Sequence, residues 1–101
     1  MTEEQAVEIK RMSRAFVYID CHSGKERELM SKLLQHHEVK EVHLITGKND
    51  ILAVLEVKRD ILVPSSTNVY HFIEKVRNYP EVNDTETVIP LYSMTKWTQS
   101  A

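Results

Sequence analysis

From Val39 to Lys58 the chain reads VKEVHLITG, then KND, then ILAVLEVK. Two runs of mostly branched apolar residues flank a short polar turn, the pattern of a β-hairpin. Val42, Leu44 and Ile45 supply the first strand. Ile51, Leu52, Val54, Leu55 and Val57 supply the second. Gly47, Asn49 and Asp50 supply turn chemistry, because Gly and Asn accept positive φ cheaply. Apolar residues fall on both faces, with Val54 pointing one way and Ala53 and Leu55 the other. A strand with one wet face would alternate cleanly. The hairpin is therefore expected to be covered on two sides.

The flanking patterns supply the other elements. Ala15 to Cys21 (AFVYIDC) reads as a strand with bulk on both faces. Ser23 and Glu26 match a capping box that opens a helix running to about His37. Leu29, Met30, Leu33 and Leu34 form its apolar stripe, and Lys25, Glu28, Lys32 and Gln35 a solvated one. After the hairpin, a connector ends at Pro64. Ser65 or Ser66 then caps a second helix over 67–79, with Val69, Phe72, Ile73 and Val76 on one buried face. Pro80 ends it. Residues 81–94 predict the last strand, with Val88, Ile89, Leu91 and Tyr92 as its apolar part and Thr85 and Thr87 just before. Pro90 cannot donate to a ladder, so this strand is expected at an edge or with a bulge. Residues 1–13 form an N-terminal arm or short helix, 14–94 the domain, and 95–101 a polar tail whose Trp97 packs on the sheet or on a partner.

The order β-α-β-β-α-β predicts an α+β, ferredoxin-like fold: a four-stranded antiparallel sheet with two helices on one face. Two helices leave the other face bare, and all four strands carry apolar residues toward it. So large a bare face is unusual on a monomer. A second copy packed sheet to sheet, about 10 Å away, would cover it, giving an obligate homodimer of the dimeric α/β-barrel kind. The alternative is a monomer whose tails fold over the sheet.

Composition narrows the function. The 101 residues carry 13 basic and 15 acidic side chains, a net charge of −2, which disfavours direct nucleic-acid binding. The single Cys21 cannot close an internal disulfide, and no apolar run approaches the length of a membrane span or a signal sequence. A cytoplasmic location without membrane association is expected. Adjacent His36 and His37 project apart, and His22, His43 and His71 fall on different elements without ligand spacing, so no metal is expected. Cys21 and His22 are neighbours on a strand and point apart, a poor catalytic dyad. With two glycines there is no phosphate-cradling loop. No cofactor and no catalytic residue are expected.

The stretch AFVYIDCHSGKERELMSKLLQHHEVKEVHLITGKNDILAVLEV resembles the effector-binding domain of the Lrp/AsnC regulators, called RAM. The shared features are a Gly-Lys-Glu helix start, a helix ending before Val39-Lys40-Glu41-Val42, and Thr46-Gly47-x-x-Asp50. Further along come Arg77-Asn78-Tyr79-Pro80-x-Val82 and Thr85-x-Thr87. The resemblance covers about 14–92. Full-length members carry an N-terminal helix-turn-helix, for which residues 1–13 are too short, so the chain is similar to the stand-alone RAM proteins. Glu81 stands where a Gly usually follows the Pro, and Lys48 and Asn49 fill a turn that is often Gly-aromatic-x-Asp.

The resemblance implies an amino acid effector bound at a subunit interface near the turns. Backbone N–H groups over Gly47, Lys48 and Asn49 would take the carboxylate, and Asp50 the ammonium. Thr85 and Thr87 would add hydroxyls. For Gly47 and Asp50 a plain turn role is an equal alternative. Ligand held between subunits would shift assembly by mass action. The implied partners are a second copy, an octamer of four dimers, and full-length Lrp/AsnC regulators. The competing classes are a cofactor-free dimeric α/β-barrel enzyme and a ligand-free assembly module.

Overall fold

The computed structural model describes residues 12–47, 49–58, 65–94 and 96. The elements are β1 (Met12–Cys21), α1 (Glu26–Leu34), β2 (Val39–Leu44), β3 (Ile51–Lys58), α2 (Ser65–Arg77) and β4 (Val82–Val88). The sheet has the order β2-β3-β1-β4, and every neighbouring pair is antiparallel. This is the expected ferredoxin-like α+β architecture. It places β1 and β3 at the centre, so the hairpin contributes one central strand and one edge.

The core follows from strand parity. Ala15, Val17, Ile19 and Cys21 on β1 and Ile51, Ala53, Leu55 and Val57 on β3 are buried toward the helices. Their register pairs Ala15 with Leu55, Val17 with Ala53 and Ile19 with Ile51, so like faces like across the two central strands. Leu29 and Leu33 from α1 and Val69, Phe72, Ile73 and Val76 from α2 close the same cluster. At about 1.5–3 kcal/mol for each fully buried Val, Leu, Ile or Phe side chain, this one layer is the main source of stability.

Several boundaries differ from expectation, each for a local reason. β1 begins at Met12, three residues ahead of Ala15, because Met12 and Ser13 pair with Lys58 and Val57. The Ser23 capping box does not form. Gly24 takes φ +85°, the chain turns there, and Lys25 becomes the N-cap without a side-chain bond. Glu26 instead accepts the Gly24 N–H at 3.3 Å. α1 stops at Leu34, short of His37, where the Gln35 and His36 N–H groups bond the carbonyls of Lys32 and Leu33 three residues back. Leu34 is consequently 53% exposed rather than part of the stripe. α2 starts at Ser65 and ends at Arg77.

β4 is an edge strand, but it ends at Val88, so Pro90 lies outside the ladder and does not account for the edge position, and Ile89, Leu91 and Tyr92 lie exposed beyond it. The irregularity in its pairing sits at Asp20–Cys21 opposite Val82, not at Pro90. The bare face also differs. Phe16, Tyr18, Leu52 and Val54 line it at half-burial on the two central strands. The edges bring Glu41 and His43 from β2, and Asp84, Glu86 and Val88 from β4. It is an apolar centre with a charged rim, not four apolar strands. The arm 1–11, Lys48, the connector 59–64 and Trp97 lie outside the described residues.

Candidate functional site

The hairpin turn lies at one end of the sheet, against the end of β1. Gly47 adopts φ +116°, a conformation that side chains rarely take. The Ile45 N–H donates to the Asp50 carbonyl at 2.9 Å and closes the turn. The Asp50 N–H reaches across to the Ile19 carbonyl at 3.2 Å, and its carboxylate accepts the Cys21 N–H at 2.9 Å. Asp50 therefore clamps the turn to the central strand. Asn49 is half-buried beside it, and Gly47 is exposed.

Asp20 adds a feature that sequence reasoning missed. It lies between the two β1 residues that Asp50 binds, and its Oδ1 is buried with no hydrogen-bond partner among the described residues. Its direct neighbour across the ladder is Asp84. A buried carboxylate oxygen without a donor is costly, so this is a place where a cationic group would be favoured. An Asp closing a strand of alternating Phe16, Tyr18 and Asp20 was the available signal, since parity alone puts it on the bare face.

Thr85 and Thr87 do not join the turn. They pair with Ile19 and Val17, so their side chains lie on the helix side of β4. The Arg77 Nε donates to Thr85 Oγ1 at 3.4 Å. The two threonines line a groove between α2 and β4 with Val69, Tyr70, Ile73, Arg77 and Ile89. Within one subunit the candidate residues thus form two separate sets: Gly47, Asn49 and Asp50 at the sheet end, and Thr85 and Thr87 at the outer edge.

The histidines are structural or exposed. His36 Nε2 and the Tyr79 hydroxyl lie 2.7 Å apart, and the ring packs edge-on against Phe72. His37 is fully outward, and His43 pairs with Glu41 at 2.9 Å on the bare face. Cys21 is buried while His22 is exposed, and burial pushes the Cys21 thiol up, with the Glu26 carboxylate adding to the shift. Among the described residues no group of three or more His, Cys, Asp and Glu can hold a metal ion. Lys32 and the nearly buried Glu81 form a close ion pair between α1 and the start of β4, with Lys32 5.4 Å from the Tyr79 ring centroid. Only Glu81 Oε1 meets Lys32; its Oε2, like Asp20 Oδ1, is buried without a hydrogen-bond partner among the described residues.

Comparison with known proteins agrees with this architecture. The sequence profile described as the Lrp/AsnC ligand binding domain matches residues 14–97. The HTH-type transcriptional regulator FL11 of Pyrococcus abyssi is 30% identical over 77 residues, covering 76% of this chain and 47% of FL11. The chain thus spans about half the length of the curated relatives it matches. Among solved structures, FFRP-DM1 is 36% identical with a TM-score of 0.65, covering 78% of this chain and 99% of that one. A transcriptional regulator of Neisseria meningitidis, solved in complex with L-Met, shares the fold at 16% identity and TM-score 0.69, covering all of this chain and 62% of that one. Among the described residues no helix is long and apolar enough to cross a membrane.

Proposed function

This chain belongs to the Lrp/AsnC ligand-binding domain family, and from that premise we propose that it is a regulatory domain whose effector is a free amino acid held at the hairpin end of the sheet. The observation that carries the reading is Asp20 Oδ1, buried beside the Asp50 clamp and without a donor among the described residues. An α-ammonium satisfies that oxygen. The turn N–H groups at Gly47 and Asn49 take the carboxylate, where the glycine lets the ligand approach the backbone. The Neisseria relative with bound L-Met supports the ligand class.

The bare sheet face supports a homodimer, with Phe16, Tyr18, Leu52 and Val54 meeting their copies. In this reading the protein works in the cytoplasm without catalysis. It acts through assembly, as a dimer or an octamer of dimers, and through exchange with full-length Lrp/AsnC regulators. Effector held between subunits favours the assembled state by its differential affinity alone.

The test is a thermal-shift and light-scattering series over the free amino acids. Ligand at about a hundred times Kd adds about 2.7 kcal/mol of stability. A shift of several degrees with one amino acid, lost in Asp20→Asn, is the expected result. No shift with any of them overturns the effector reading.

A further inference from the structure

The two halves of the chain repeat one junction. At the end of α1 the N–H groups of Gln35, His36 and Val39 donate to the carbonyls of Lys32, Leu33 and His36. At the end of α2, at identical spacing, those of Asn78, Tyr79 and Val82 donate to Lys75, Val76 and Tyr79. Each junction closes on a Glu-Val pair at the start of a strand, Glu38-Val39 and Glu81-Val82. The Glu81 carbonyl accepts the His22 N–H at 2.9 Å, and the Glu38 carbonyl accepts the Glu56 N–H at 2.8 Å. This is the internal two-fold of a β-α-β-β-α-β chain. It matches Lys32 with Lys75 and Glu81 with Glu38.

The side chains break that symmetry. Lys32 crosses from α1 to Glu81 and forms a close ion pair. Its counterpart Lys75 forms no ion pair among the described residues. The difference lies beside Glu38. Tyr79 and Pro80 precede Glu81, whereas His36 and His37 precede Glu38, and their Nδ1 atoms lie 3.7 and 4.0 Å from its Oε1. Where one half has an ion pair, the other has a cavity of about 670 Å³ that both Lys75 and Glu38 line, within the range of small-molecule sites. It lies at the end of the hairpin away from the turn, against the flank of α2 that carries His71, Lys75 and Asn78.

We propose that this cavity is a second binding site, separate from the hairpin turn, for a linear zwitterion with an ammonium at one end and a carboxylate at the other, the chemistry of an ω-amino acid. The ammonium takes at Glu38 the place that Lys32 Nζ takes at Glu81, through Oε2, which the two histidines leave open. The carboxylate meets Lys75. Lys40 Nζ already donates to the His37 carbonyl at 3.1 Å, so Lys75 is the cation left for the ligand. The remaining charges of the lining, Lys40, Glu56 and Glu74, are of both signs. A plain anion or a plain cation therefore meets like charge as well as opposite, and a ligand that carries both is preferred. Lys75 and Glu38 stand on different elements with the cavity between them. Charges at the two ends of a chain suit that arrangement better than two charges on one carbon.

The experiment is calorimetric titration of the whole chain with 6-aminohexanoate, hexanoate, hexylamine and leucine. 6-Aminohexanoate is expected to bind about tenfold or more tightly than each of the others, since it alone places a charge at both Glu38 and Lys75. Lys75 is exposed, so Lys75→Gln is expected to keep the fold, checked by circular dichroism, and to lower 6-aminohexanoate affinity about tenfold, to that of hexylamine. Lys25→Gln removes an exposed lysine elsewhere and is expected to leave that affinity unchanged. No binding at millimolar 6-aminohexanoate overturns the proposal, as does equal affinity for any of the other three compounds. So does an affinity that survives Lys75→Gln, or one that falls as far in Lys25→Gln. The amino acid series at the hairpin end uses α-amino acids and Asp20→Asn, so either reading can fail while the other stands.

Discussion

The Asp50 carboxylate accepts the backbone N–H of Cys21 at 2.9 Å, while the Asp50 N–H donates to the Ile19 carbonyl at 3.2 Å. One residue of the turn thus satisfies two backbone groups of the central strand. Asp50→Ala leaves the Cys21 N–H without its partner in a half-buried place, at a cost of about 1–3 kcal/mol. In a domain of this size that lowers Tm by about 4–8 °C for each kcal/mol. Asp50→Asn keeps an acceptor oxygen and is expected to lose less. Urea unfolding of the two variants against the parent measures the difference.

The Lys32–Glu81 pair makes stability depend on pH at both ends of the scale. Its hydrogen bond from Lys32 holds the Glu81 carboxyl below the ordinary 4.5, and the same bond raises Lys32 above 10.5. A lowered carboxylate contributes stability that is present above 4.5 and is lost as pH falls through the folded value. A raised lysine contributes stability that is present below 10.5 and is lost as pH rises through its folded value. Glu81→Gln is expected to flatten both limbs of a Tm-against-pH curve. A curve that keeps its acid limb in the variant assigns that limb to other carboxylates.

Gly47 has φ +116°, and nothing lies within 4 Å of the position a Cβ would occupy. The cost of Gly47→Ala is therefore backbone strain and not collision, about 1–3 kcal/mol. The variant is expected to be less stable, with the same far-ultraviolet spectrum, and to bind effector more weakly through its altered turn. Chemical unfolding reads the first effect and calorimetry the second.

The fold was legible because its signals are local. Alternation in FVYID, helical spacing in Val69–Val76 and the GKND turn each name an element without reference to the rest. What was not legible depended on competition between neighbours. Gly24 displaced the Ser23 cap by turning one residue early, and Leu34 lost its buried place when α1 ended before His37. Parity on the edge strands is likewise not fixed by apolar content alone. Val42 and Leu44 lie on the helix side of β2, which leaves Glu41 and His43 for the bare face. The site was half legible. Gly47 and Asp50 announce a turn, but Thr85 and Thr87 join them only through the family resemblance, and the β4 register turns them toward α2 within one subunit. Parity places Asp20 on the bare face, but an acid at a strand end is ordinary surface in the sequence, and only the fold buries its Oδ1.

Val54 lies at the middle of the bare face, opposite Phe16 on one side and Glu41 on the other. In a single subunit it is half-buried, so Val54→Asp leaves its carboxylate within reach of water and the fold survives. Between two sheets packed face to face, the same carboxylate would be shut away next to its copy with no donor provided. Such burial costs several kcal/mol per charge after relaxation, enough to dissolve an interface held by apolar contact. The substitution is therefore expected to reduce the mass seen by light scattering to that of one chain while circular dichroism stays unchanged. Glu86→Gln, on the charged rim of the same face, is expected to leave the mass as it was. An unsubstituted protein that already scatters as a single chain at micromolar concentration would remove the dimer. The effector site would then have to be complete within one subunit.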